Sequence, residues 1–385
     1  MDDLEVRQLL ADLTVVILTR NRPGYLQGVV KYWASWPVSL IVLDGSDRPV
    51  DELLLDAGEA NLIGYSAVPI NDRFNFAASR IDTPFACLHS DDDFTLARGA
   101  AKAIAWLQAN PEITCVASDV LLFSEDRTSV LGPPGRTVIS VEPDQRMAVH
   151  FSDYRFSYFY GIQRSRQLSI ALTAVAAATD CPEFIGYPNV AAGYELGIEI
   201  CGAALGRLSN SPDVLLLKRV GNESRVKRVG NESRGAENQG SNEWLEDPKA
   251  QSAVRAWRLI LAHYLAPHLD VSEVTVDGWI AEALSLFCKL CQRDTLEQQK
   301  RERSKNLVGK VARLLKPKNS ILYDSRPATR LAHIAHAISY QAIRVTFRAS
   351  MKTIGRPRPK ALTLSKLDRA DLQDVVSILD GNFDK

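Results

Sequence analysis

The 385-residue chain reads as an α/β protein built on a mainly parallel sheet. Three observations carry that expectation. Continuous apolar, β-branched runs of strand length recur in the first third, as expected of strands covered on both faces. Segments with helical spacing lie between them on short connections, the alternation of a parallel sheet with helices on both faces. The runs end in polar residues, and such sheets bind ligands outside the carboxyl ends of their strands.

The elements follow in order. "LTVVILT" (13–19) is the first strand. "RNRPGYLQGVVKYWASW" opens on turn residues and continues as a helix through Leu26, Val29, Val30 and Trp33. "SLIVLD" (39–44) is a second strand, closed by the turn signal "GSDRP". "LIGYSAV" (62–68) reads as a third, "NFAASRI" as a helix and "PFACLHSD" as a fourth strand. A helix at about 95–109 and a fifth strand, "ITCVASDVLLF" (113–123), complete the first third. Further on, "YRFSYFYGIQRS" (154–165) alternates aromatics like a strand. "LSIALTAVAAATD" and "AGYELGIEICGAALG" have helical spacing, the second with Gly206 as its C-cap, and "DVLLLKRV" (213–220) is a closing strand.

"KRVGNESRV" (218–226) is then followed by a near copy, "KRVGNESRG" (227–235), too short for a solenoid and read as growth of a surface loop. After about 240 only amphipathic helix patterns remain. The expected organisation is an α/β domain over 1–235 and a helical region over 236–385. Between 300 and 360 that region carries sixteen Lys and Arg against Glu302 and Asp324. Basic helices of this kind suit peripheral contact with an anionic membrane face.

The totals narrow the class. Lys plus Arg and Asp plus Glu are both 46, so global charge selects no partner, and no nucleic acid is expected. The acidic start "MDDLEVRQLLADL" lacks the basic end and apolar core of a signal peptide, and no apolar run reaches spanning length. Six scattered cysteines suit a reducing, cytoplasmic setting, and "CKLC" (288–291) has no second pair to make a metal site.

"LHSDDDF" (88–94) drives an apolar strand into Asp91, Asp92 and Asp93. Three adjacent like charges need open water or a cation. Alone, the run could be a turn and helix cap. An extended backbone would put Asp91 and Asp93 on one face and Asp92 on the other, which makes Asp91 and Asp93 the expected metal pair, with Asp92 as competitor.

"VVILTRNRPGYL", "IVLDGSD" and "TPFACLHSDDDF", in that order, resemble the inverting glycosyltransferases of family 2, which have the GT-A fold, and among them a bacterial subgroup with a DDDF metal motif. The resemblance covers roughly residues 13 to 220, firmly to about 125. It implies a donor-nucleotide site at Thr19, Arg20, Asn21, Asp44, Arg73, Asn75, Asp91 and Asp92, with metal on Asp91 and Asp93. Several positions depart from the pattern. Arg20 stands in an aromatic slot, Leu43 replaces the first Asp of an Asp–Asp–Gly–Ser motif, and Phe74 occupies an Arg slot beside Arg73. Counting eleven residues back from Gly206 gives Glu195 as the base, preceded by Tyr194 where Glu is usual. Glu199, one turn on, is the alternative, and His89 is a further candidate beside the carboxylates.

The implied reaction moves a sugar from a UDP- or GDP-type nucleotide-sugar donor to a hydroxyl of a glycan or lipid-linked acceptor in surface polysaccharide synthesis. Hard carboxylate oxygens with few protein ligands suit Mn²⁺ or Mg²⁺ on the leaving diphosphate, and a base on the opposite side of the sugar carbon would give inversion. Two other readings are a sugar-phosphate nucleotidyltransferase, against which the missing Gly-rich loop after the first strand counts, and a non-catalytic scaffold that kept the fold.

Overall fold

The computed structural model describes residues 1–50, 57–67, 69–123, 129–131, 137–154, 157–184, 190–219 and 241–314. The chain divides into two compact units, and the first contains everything described up to Cys291. The second, Gln292–Ala361, is described only where it is helical, to Leu314. The tandem copy beyond Arg219, most of the basic 300–360 stretch and the acidic last segment lie outside the described residues.

The first unit is α/β, as expected. Its strands are β1 (Leu13–Thr19), β2 (Ser39–Asp44), β3 (Asn61–Ser66), β4 (Phe85–Ser90), β5 (Phe94–Thr95), β6 (Ile113–Phe123), β7 (Ser129–Leu131), β8 (Ile162–Arg164) and β9 (Arg207–Arg219). They form one sheet in the order β3-β2-β1-β4-β8-β6-β9-β5, with β7 on β6. The long pairings, β1 with β2 and β4, β2 with β3, and β6 with β9, are parallel. The antiparallel pairings involve only the short β5, β7 and β8.

The continuous apolar runs have their expected cause. Val15, Ile17, Leu40, Val42 and Cys87 enter one buried cluster with α1 (Asp3–Leu10), α2 (Pro23–Trp33) and α4 (Ala97–Ala109). Val16, Ile41, Leu43, Ala86 and Leu88 enter the cluster on the opposite face. That cluster is closed by α3 (Ile70–Arg80), α5 (Pro143–Ser152), α7 (Ser165–Thr179) and α8 (Val190–Leu205).

Helices past residue 240 join the same core. Trp244 of α9 (Ser241–Glu246), Trp257 of α10 (Gln251–Leu269) and Ile280 of α11 (Glu273–Leu314) are fully buried in it. The boundary expected at 235/236 falls outside the described residues, and the division into units comes only after Cys291.

One element differs in kind. "YRFSYFY" was expected as a strand, but Ser157–Tyr160 is a single helical turn, α6, and only Ile162–Arg164 pairs in the sheet. Tyr158, Phe159 and Tyr160 are all buried, so the aromatic alternation reflected burial on every side rather than a pleat. β5, α1 and α5 were not foreseen.

Gly206 does end α8, its N–H bonding the Gly202 carbonyl at 3.1 Å. A Cβ there would collide with the Thr114 side chain, whose hydroxyl donates to the Arg207 carbonyl at 3.0 Å. Gly206→Ala should therefore destabilise the protein by about 1–3 kcal/mol, the scale of overpacking, as a lower urea midpoint at unchanged slope.

Candidate functional site

The chain runs β1, β2, β3 toward one edge, then returns to place β4 on the other side of β1. That reversal opens a crevice at the carboxyl ends of β1 and β4, where α/β sheets bind ligands. Register brings the expected residues there. Thr19 pairs with Asp44, Leu18 with Ser90, and the Asp91 N–H bonds the Leu18 carbonyl at 3.1 Å.

Two loops after β1 and β2 are laced together. The Asn21 N–H donates to Ser46 Oγ at 2.6 Å, and the Asn21 side chain and Asp47 exchange two bonds of 3.1 Å. Asn21 has φ 55°, a left-handed conformation that Asn tolerates better than most residues. Buried Asp44 accepts from the backbone N–H groups of Ser46 and Val50 at 2.8 Å each. These two bonds fix the shape of the loop after β2.

Arg73 lies beneath the same loop, buried, donating to the Leu43 carbonyl at 3.2 Å. A Cβ on Gly45 would stand 2.6 Å from its guanidinium, so a larger residue there would make the Arg73 side chain shift. Burial lowers the Arg73 pKa, and Arg20 adds to that while Tyr194 and Asp44 oppose it. Asn75, two residues on along α3, is exposed, roughly opposite Arg73 on the helix, and the structure does not bring it to this cluster. Leu43, in the slot of the missing Asp, is fully buried in the core.

The three carboxylates lie on a turn rather than on the extended backbone that strand alternation assumed. The chain turns after Ser90, and the Asp93 N–H reaches back to the Ser90 carbonyl at 3.4 Å. Asp91 and Asp93 are 1% and 2% exposed, whereas the Asp92 side chain is 17% exposed. Asp91 accepts from the Thr19 hydroxyl at 2.6 Å and pairs with Arg22 at 3.0 Å. The same guanidinium pairs with Asp92. Burial pushes the Asp91 carboxyl up to about 7, against the opposing pull of Arg22 and Thr19. His89 is fully enclosed, its Nδ1 2.9 Å from the Ser90 carbonyl, and burial lowers its pKa to about 4.

Asp93 faces a different partner. The Tyr160 hydroxyl is hydrogen-bonded with both Asp93 and Ser90, and it accepts from Lys218 Nζ at 2.9 Å. Lys218 arrives because β5 pairs antiparallel with β9, Phe94 opposite Leu217. Glu195, half-buried on α8, is an electrostatic neighbour of Tyr154 and Tyr160. Tyr160 is therefore a hydrogen-bond partner of the carboxylate turn and an electrostatic neighbour of the expected base. Sequence reasoning missed Tyr160 and Lys218. The strand-end rule that selected Thr19 and Asp44 would also have selected Lys218, near the end of β9.

Glu199 proves to be a different kind of residue. It is 0% exposed, 2.7 Å from His150 Nε2, and it accepts from the N–H groups of Phe159 at 2.8 Å and Tyr158 at 3.3 Å. It holds α6, and with it Tyr160, in place. With its oxygens committed to these three groups, it is not free to serve as the alternative base.

Asp91 and Asp93 offer hard oxygens, and the Thr19 hydroxyl fixes the orientation of the first. No group of three or more His, Cys, Asp or Glu side chains is placed to hold a metal among the described residues. A divalent cation held by Asp91 and Asp93 would need phosphate oxygens and waters to complete its coordination, as Mn²⁺ and Mg²⁺ accept.

No family model and no curated protein matches the chain. Among solved structures it is similar to residues 1–349 of S. aureus TarS, at 13% identity and a TM-score of 0.35, over 75% of this chain and 91% of that one. The same TarS region has been solved with UDP and with UDP-GlcNAc. The mannosyltransferase PcManGT from Pyrobaculum calidifontis, in complex with GDP-Man and Mn2+, is similar at 15% identity and a TM-score of 0.34, over 96% of this chain and 87% of that one. At such low identities and scores, the functional assignment rests on this chain's own residues.

Proposed function

We propose that the chain is a metal-dependent glycosyltransferase of the GT-A type that moves a sugar from a nucleotide-sugar donor to an acceptor hydroxyl with inversion. The observation that carries this reading is the placement of buried Asp91 and Asp93 at the β1/β4 crevice, with a further carboxylate, Glu195, as an electrostatic neighbour of Tyr160. The loops of Thr19–Arg22 and Asp44–Asp47 form the nucleotide side. Arg20 and Arg73 supply positive charge there, Arg73 at close range to Gly45. Asp91 and Asp93 would hold the divalent cation, which when bound would stabilise charge developing on the leaving diphosphate. Lys218 adds a cation on the Asp93 side through Tyr160. Glu195 takes the proton of the attacking hydroxyl from the face opposite the leaving group. A glycan or lipid-linked acceptor is part of the same proposal, as is peripheral membrane contact through 300–360. No helix among the described residues is long and apolar enough to cross a membrane.

The test is donor binding followed by thermal shift, with UDP- and GDP-sugars, with and without Mn²⁺. The expected result is a Mn²⁺-dependent shift with one nucleotide. Asp91→Ala and Asp93→Ala should lose the metal-dependent part and Asp92→Ala most of it retain, because Asp92 is the most exposed of the three. An unshifted parent protein across both nucleotide classes would count against the reading. Pyrophosphate release from a nucleoside triphosphate would indicate a nucleotidyltransferase instead.

A further inference from the structure

Arg22 occupies an unusual position for a residue of a nucleotide-binding turn. It precedes α2, and its guanidinium reaches across the crevice to the carboxylate turn after β4. One nitrogen is 3.0 Å from Asp91 and the other pairs with Asp92, so a single planar cation bridges two adjacent side chains of the turn. The guanidinium lies 4.6 Å from the Tyr25 ring centroid. Its side chain is 28% exposed, which leaves it a path out of the site. Its Nε–H has no acceptor among the described residues.

Asp91 thus has two claimants. Thr19 holds one carboxylate oxygen and Arg22 the other. A divalent cation approaching Asp91 must share or displace the guanidinium, and two cations on one carboxylate repel. A diphosphate changes this balance, because it offers oxygens to the metal and a new bidentate anionic partner to Arg22.

We infer that Arg22 is a resident counter-ion of the Asp91–Asp92 turn which competes with the divalent cation, so that metal binds tightly only together with a diphosphate that takes Arg22 in exchange. The inference rests on the proposed metal role of Asp91 and Asp93. Metal and nucleotide then bind with positive coupling, and by linkage each strengthens the other equally.

The experiment is a Mn²⁺ titration of the full chain, followed by calorimetry and by the free-ion electron spin resonance signal, without nucleotide and then with UDP and with GDP. The parent protein is expected to bind Mn²⁺ weakly alone and about tenfold or more tightly with the preferred diphosphate, within the usual range of coupling. Arg22→Gln should bind Mn²⁺ alone about tenfold more tightly and lose most of the enhancement by diphosphate. Arg22→Lys, which keeps the charge but cannot bridge two carboxylates, should fall between and serves if the Gln variant folds poorly. Arg48→Gln removes an exposed charge of the β2 loop to which no role is assigned, and should leave nucleotide-free Mn²⁺ affinity nearly unchanged. Unchanged or weaker nucleotide-free affinity in both Arg22 variants would overturn the inference while leaving the metal reading standing. An equal gain in Arg48→Gln would also overturn it, since bulk charge would then suffice. Absence of Mn²⁺ binding to any form, with either diphosphate, would overturn the metal reading and this inference with it.

Discussion

Glu195→Gln is expected to lower turnover about 10²-fold or more, the scale of losing a general base, with donor affinity nearly intact. The two properties separate because they lie on different elements. The proposed donor side is built from the turns after β1, β2 and β4, while Glu195 belongs to α8. Gln keeps the size and hydrogen-bonding reach of the side chain but cannot accept the proton of an attacking hydroxyl. Its neighbours Tyr154 and Tyr160 are hydroxyls whose pKa values burial drives upward, so neither is a ready substitute base. The measurement is kcat for transfer alongside the Kd of the donor with Mn²⁺. Equal kcat in variant and parent would remove Glu195 from the mechanism. Glu199 would not then inherit the role, because His150 and two backbone N–H groups hold it.

What the sequence disclosed depended on the range of the interaction involved. β1, β2 and β6 were legible to the residue, because an uninterrupted apolar run bounded by polar turns has few other ways to be buried. Thr19, Asp44 and the Asp91–Asp93 run converge as expected, since parallel strands place their carboxyl ends on one rim. The turn at Ser90 was not legible. Strand alternation grouped Asp91 with Asp93, whereas Arg22 groups Asp91 with Asp92 and leaves Asp93 to Tyr160. That pairing exists only because β1 and β4 are neighbours, since Arg22 and Asp92 are 70 positions apart in sequence. Asn75 was placed by counting from Phe85, but helical phase turns it to solvent while Arg73 turns inward. Glu195 and Glu199 share a helix face, and periodicity could not rank them. What separates them is His150, on a helix that sequence reading had not assigned.

The second large effect follows from that separation. Glu199→Ala should destabilise the fold by about 3–5 kcal/mol, the cost of breaking a buried pair by removing one partner. Glu199 is fully enclosed, so no water can replace its oxygens at once at His150 and at the N–H groups of Tyr158 and Phe159. Those two N–H groups belong to α6, a four-residue turn too short to be stable alone. Unbonded and buried, they would each add a desolvation cost. Glu199→Gln should be milder, because its amide oxygen can still accept from Phe159, while one donor must face either His150 or Tyr158. Urea unfolding checks the order, with the midpoint falling least for Glu195→Gln, further for Glu199→Gln and furthest for Glu199→Ala. The consequence reaches the crevice through Tyr160, the last residue of α6, which meets Asp93 and Lys218. Any Glu199→Gln protein that remains folded should therefore show weakened Mn²⁺-dependent donor binding, a loss that Glu195→Gln should not share. If Glu199→Ala unfolded at the parent's midpoint, Glu199 would not be the anchor of α6, and its exclusion as a base would have to be reopened.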